Sequence, residues 1–179
     1  MITARYVAFV FLSLFITVVA WIISPILACL VNEEGNLPNW LYWFQTFDNT
    51  CDAGWKVQGS YGTYLKDGAV PTGFTLWRYR WFWLCRNPAY GWDYFPLGIE
   101  WDKDDWTVIK WSSQDANPNF YYARSKQGYF SWVYINDHIQ LKFGWKSWGL
   151  FDRATGTYTD GQFGPEKRQP LCFTIVPRF

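Results

Sequence analysis

From Tyr6 to Asn32 the chain carries no charged side chain. Nothing else in it restricts the fold so severely. The core of that run reads YVAFVFLSLFITVVAWIISPILACLV. About 25 residues rising 1.5 Å each make roughly 37 Å of helix, enough to cross a ~30 Å hydrocarbon layer with some tilt. A core helix of a water-soluble protein would show a polar face. Here only Ser13, Thr17 and Ser24 interrupt the apolar surface, and their hydroxyls can bond back to carbonyls within the helix. Pro25 falls late and is expected to kink the last turn or two. The reading is a retained transmembrane anchor over residues 1–31.

Two competitors use similar residues. A cleavable signal peptide has a shorter apolar region, about 7–15 residues, and a small-x-small site after it. The run here is longer, and no such site is evident. A lipoprotein signal would use Ile26-Leu27-Ala28-Cys29, but a bulky Leu precedes the Ala. Orientation rests on Arg5 and the amino terminus on one side. On the other, Glu33 and Glu34 come first and no Lys or Arg appears until Lys56. Positive-inside bias then puts the N-terminus in the cytoplasm and the following domain outside it.

The chain has 179 residues, 16 basic and 15 acidic, a net charge of +1. That balance argues against nucleic-acid binding, which needs a basic face. The stretch after the anchor is long enough to bury a core without a metal or a disulfide. Aromatic content is the outlier, with 14 Trp, 12 Tyr and 15 Phe. Rings with polar tips serve cores, interfaces and membrane-surface belts alike. Of four cysteines, Cys29 lies in the apolar run. Cys51, Cys85 and Cys172 could supply one disulfide in an oxidising compartment or remain buried thiols. No C-x-x-C pair occurs.

Residues 32–95 form an aromatic-rich juxtamembrane region. Pro38 suits the first position of a helix, and Trp40, Trp43, Phe44 and Phe47 follow i, i+3, i+4, i+7 spacing. They predict a short amphipathic helix, lying at headgroup level or packed on the domain's own core. Asp48 to Gly73 reads as loop, with Asp67-Gly68 as a hairpin dipeptide. Residues 74–86, FTLWRYRWFWLCR, fit a helix with a Phe74, Trp77, Trp81, Leu84, Cys85 stripe. They also fit a strand with Trp77, Tyr79, Trp81 and Trp83 on one side. The helix is preferred, lying along a bilayer surface with Arg78, Arg80 and Arg86 reaching lipid phosphates or a partner. Asn87-Pro88 ends it.

Residues 96–179 read as a mainly antiparallel β domain. Runs at 106–111, 120–123, 129–135, 139–143 and 171–176 are β-branched or aromatic and separated by polar turns, as in a meander. Asn136-Asp137-His138 is a hairpin connector, and residues 149–169 a Gly-rich excursion. The fold class is therefore α+β.

Catalytic signals are thin. His138 is the only histidine, sits in a turn beside Asp137 and has no nucleophile elbow to serve. Glu100, Asp102, Asp104 and Asp105 could act as paired carboxylates or bind calcium, but Trp106 stands where a calcium loop needs an oxygen. A solvated turn explains them. Trp101, Trp145 and Trp148 could stack sugars, although rings this numerous must mostly be buried. No cofactor, metal or catalytic set is expected.

The segments LPNWLYWFQTFDN (37–49), WRYRWFWLCRNPAYGW (77–92), FGWKSW (143–148) and IVPRF (175–179) resemble a group of uncharacterised proteins of tailed bacteriophages and prophages. The resemblance spans most of the chain. It implies no assigned activity and supplies no catalytic residues. The expectation is a non-enzymatic, phage-encoded, single-pass protein of the host inner membrane, its domain on the periplasmic side. It would bind the bilayer and a protein or lipid partner, with exclusion of a second phage as one use. The alternatives are a virion or genome-delivery component that inserts into the host membrane, and a hydrolase or binding module for cell-wall polymers.

Overall fold

A computed structural model describes residues 2–53, 71–159 and 168–178. The Asp67-Gly68 turn lies outside them. Two compact units form, one from residues 1–11 and 93–179, the other from residues 12–92. The boundary cuts the first helix instead of following its end, so the first 31 residues are not an appendage.

Helix α1 runs Ile2–Cys29 and is long and apolar enough, by length and composition, to cross a membrane. Pro25 lacks the N–H that would bond the Trp21 carbonyl. The Ser24 hydroxyl supplies the missing donor, reaching that carbonyl at 2.8 Å, so the helix continues past the proline. One stripe of α1 is buried: Tyr6, Val10, Ile16, Ala20, Ser24, Leu27 and Ala28. Ala20, Ser24 and Ala28 are four residues apart, and small side chains at that spacing let another backbone come close.

In residues 12–92, a 3-10 turn at Asn39–Phe44 stands where the amphipathic helix is expected. The reason is Gln45. Its buried amide accepts from the Leu37 N–H at 2.8 Å and donates to Asn36 Oδ1 at 2.8 Å and the Asn49 carbonyl at 3.1 Å. Holding those partners keeps Gln45 extended, and Phe47 leaves the stripe to stack on Tyr90 at 5.5 Å. Helix α2, Gly73–Arg86, is the helix preferred from sequence; it buries Tyr79, Arg80, Trp83 and Leu84. A turn at 87–89, with Ala89 at φ +51°, leads into the short α3, Tyr90–Tyr94. Leu27, Ala28, Leu37, Leu41, Trp83 and Leu84 make one core; Ala89 packs with Ile16 and Ala20 in another.

The other unit holds a five-stranded antiparallel sheet. Its strands are β2 (Trp106–Trp111), β3 (Asn119–Ser125), β4 (Phe130–Ile135), β5 (Ile139–Trp145) and β9 (Leu171–Pro177), in the order β2-β3-β4-β5-β9. Two-stranded pieces pair β1 (Ile99–Glu100) with β8 (Arg168–Gln169), and β6 (Phe151–Asp152) with β7 (Thr157–Tyr158). The connector at 136–138 makes its hairpin because Asn136 Oδ1 accepts from the N–H groups of His138 and Ile139. Tyr121, Ala123, Val133, Trp145 and Leu171 belong to one buried core, together with Tyr6 and Val10 of α1. The Tyr6 hydroxyl donates to the Cys172 carbonyl at 2.9 Å.

Candidate functional site

The outward side of α1 is apolar. Phe11, Phe15, Ile22 and Ile26 are each about two-thirds exposed, at 69, 67, 72 and 65%. With Val18 between them they form one row down the helix, at spacings of three and four. Isolated exposed apolar side chains are ordinary; a continuous row of large ones marks a contact surface.

Helix α2 adds a second stripe. Phe74, Arg78, Phe82 and Arg86 lie four residues apart and are all exposed, and the helix contains no acidic residue. Trp77 and Trp81 flank it, half-buried, in a run of rings from Phe74 to Phe82 with centroids 5.2–5.4 Å apart. Trp77 is partly committed, its indole N–H donating to the Pro25 carbonyl at 3.0 Å. Of the other aromatic residues placed at a membrane interface from sequence, Trp40 is 77% exposed and Trp43 46%. Trp43 and Phe44 pack on Trp92; Phe44 and Phe47 are half-buried.

Arg80 departs from expectation. It is 9% exposed and reaches no surface. Its Nε and one terminal nitrogen donate to the two Asp52 carboxylate oxygens at 2.7 and 3.1 Å. The terminal nitrogens also donate to the Val31 and Asn32 carbonyls, each at 3.1 Å. A guanidinium fork can serve a carboxylate and backbone carbonyls together. Arg80 therefore clamps the chain just past α1, while Arg78 and Arg86 remain available. Asp52 is a residue that sequence reasoning missed.

The residues considered for catalysis are brought together only in part. His138 is exposed in its hairpin turn. Asp102 caps the Asp104 N–H at 3.0 Å, and Asp105 pairs with Lys126 at 3.7 Å. A cavity of about 460 Å³ does gather Glu100, Asp102 and Asp105 with Arg5, Gln127 and Arg168. Arg168 is spent within it, donating to the carbonyls of Tyr94, Phe95 and Gly98. Among the described residues no group of three His, Cys, Asp or Glu side chains could hold a metal ion. Cys51, Cys85 and Cys172 are all free thiols. Burial, then the neighbouring Asp52 carboxylate, pushes the Cys51 thiol up to about 12, and burial also raises Cys172.

The rings considered for sugar stacking are mostly buried, as their number led one to expect. Trp145 is fully buried with its indole N–H on the Leu97 carbonyl at 3.0 Å, and Trp101 is buried too. Trp148 lies half-buried under the Lys142 ammonium. Partly exposed aromatic surface lies instead on the sheet face opposite Tyr121 and Val133. Register there aligns Phe120, Tyr134, Leu141 and Ile175 in one row and Tyr122, Trp132, Phe143 and Phe173 in the next. Trp132 stacks on Phe143 at 5.4 Å and on Tyr134 at 6.1 Å. The signal was present in the sequence: rings at alternate positions of successive strands.

A protein-family model matches residues 1–178; it describes a family of unknown function, DUF7338. No curated protein and no solved structure matches the chain.

Proposed function

The chain belongs to the family of unknown function DUF7338, and we propose, from its surfaces, that it is a non-enzymatic protein held at a lipid bilayer by α1. The observation that carries this reading is the row Phe11, Phe15, Val18, Ile22, Ile26, large, apolar and turned away from the packed side of the helix. Burying the four most exposed of these side chains at about 1.5–3 kcal/mol each supplies roughly 6–12 kcal/mol, at least what one myristoyl chain contributes to attachment. The Phe74-Arg78-Phe82-Arg86 stripe supports the same reading, since guanidinium groups with interleaved rings suit an anionic headgroup layer. The resemblance to phage and prophage proteins supports the host's cytoplasmic membrane as the place. It also supports interference at the envelope, exclusion of a second phage included, as the use.

The test is flotation of full-length protein with vesicles of phosphatidylglycerol and phosphatidylethanolamine. The wild type floats with the vesicles, and the Phe15→Glu, Ile22→Glu variant stays in the aqueous fraction. Full-length wild type that remains monodisperse without detergent and does not float overturns the reading.

A further inference from the structure

Attachment to a bilayer leaves open how α1 meets it, and we infer that α1 lies along one leaflet, half immersed, and does not cross the membrane. This rests on the proposed attachment and specifies its geometry.

The deciding contacts all fall within residues 12–92. The end of α2 and the turn after it run beside α1. The Cys85 sulfur is 3.2 Å from Ser24 Oγ, the Trp21 indole N–H donates to the Cys85 carbonyl at 3.0 Å, and Ala89 is buried with Ile16 and Ala20. Ile16 and Ala20 straddle the middle of the uncharged run. If that run spanned a bilayer, its middle would be the hydrocarbon centre. The irregular turn at 87–89 would be there with it, next to the exposed, charged Arg86. Non-helical backbone at that depth is tolerated only inside protein or beside a water-filled cavity. A central Arg costs roughly 3 kcal/mol or more. Displacing the end of α2 and its turn would instead uncover Ala20 and Ser24, which are 2 and 0% exposed.

Lying in the plane removes the conflict. The buried stripe keeps its protein cover, which replaces the polar face of an ordinary interfacial helix. The opposite row, Phe11 to Ile26, enters the acyl region, while Arg86 and the turn stay out of it. The occupant is the lipid of one leaflet: no charge interrupts this row for a partner's charge to answer.

Labelling of the full chain in sealed membrane vesicles tests the geometry. Thr3→Cys and Glu34→Cys place thiols at exposed positions in the first turn of the helix and beyond its end. A membrane-impermeant maleimide is applied to right-side-out and to inverted vesicles, and the adduct on wild-type protein is subtracted for the native cysteines. In-plane attachment labels both positions in one vesicle type and neither in the other. Labelling of the two positions in opposite vesicle types means that α1 crosses, which overturns this inference and leaves attachment standing. Wild type recovered in the soluble fraction overturns attachment itself. A detergent-free soluble dimer gives the row to a second copy and overturns both.

Discussion

The clamp formed by Arg80 makes a sharp demand on stability. Asp52→Ala removes a carboxylate contacted at 2.7 and 3.1 Å and leaves a guanidinium 9% exposed. Breaking a buried pair from one side costs about 3–5 kcal/mol. Arg80 keeps the Val31 and Asn32 carbonyls, so the expected loss lies near the lower end, about 3 kcal/mol. Arg80→Ala strips both carbonyls and the carboxylate of the same donor and falls near the upper end, about 5 kcal/mol. Against a total of roughly 5–15 kcal/mol, either loss is large. Arg80→Lys keeps the charge but has no planar fork, so it falls between wild type and Ala.

Urea unfolding of full-length protein in mild-detergent micelles, followed by tryptophan emission, reads the effect. With a slope of about 2 kcal/mol/M, 3 kcal/mol moves the midpoint by about 1.5 M. A lipid-facing Arg80 would behave in the opposite way, with unfolding unchanged and anionic-vesicle binding weakened. An Asp52→Ala midpoint within about 0.25 M of wild type, or roughly 0.5 kcal/mol, refutes the clamp.

Arg78 and Arg86 give the converse result. The double substitution to Ala leaves the unfolding midpoint in place but weakens partition onto anionic vesicles about 30-fold, at roughly 1 kcal/mol per Arg near the surface; equal binding to anionic and neutral vesicles by wild type would remove their role. The Cys51 thiol is held above its ordinary 9.0, up to about 12, by burial and then by Asp52. A group raised by folding stabilises fully below its unfolded value and loses that contribution as pH climbs toward the folded one. Stability therefore falls between pH 9 and 12, less steeply in Cys51→Ala, and Cys51 of the native protein resists iodoacetamide at pH 8. Gly144 sits at φ +93° in β5, and an added Cβ would lie 2.1 Å from the Phe130 carbonyl oxygen. Gly144→Ala is expected to cost about 3 kcal/mol or more, seen as a large drop in Tm.

The sheet was legible because its strands alternate and its connectors carry turn residues. Trp106–Trp111 matches the expected run residue for residue, and the other four central strands differ from theirs by one or two residues at one end or, in β3, at both. The 3-10 turn was not legible: four rings over eight residues fit a helix, and the buried amide of Gln45 that overrides it acts through Leu37, Asn36 and Asn49. Arg80 looked like its neighbours Arg78 and Arg86 because its carboxylate partner is 28 residues away. The packed side of α1 was hidden by uniformity, since apolar residues surround the helix. Ala20, Ser24 and Ala28 marked it all the same.

Because Tyr6 and Val10 sit in the core of the sheet and Leu27 and Ala28 in that of the helical unit, cutting at Cys29 would take structural material from both. If α1 holds lipid as proposed, lipid association and folding become linked equilibria. Under the proposed attachment, membranes would stabilise the native state. Trimming the first residues to obtain a soluble fragment should yield an aggregating chain with an open hydrophobic seam.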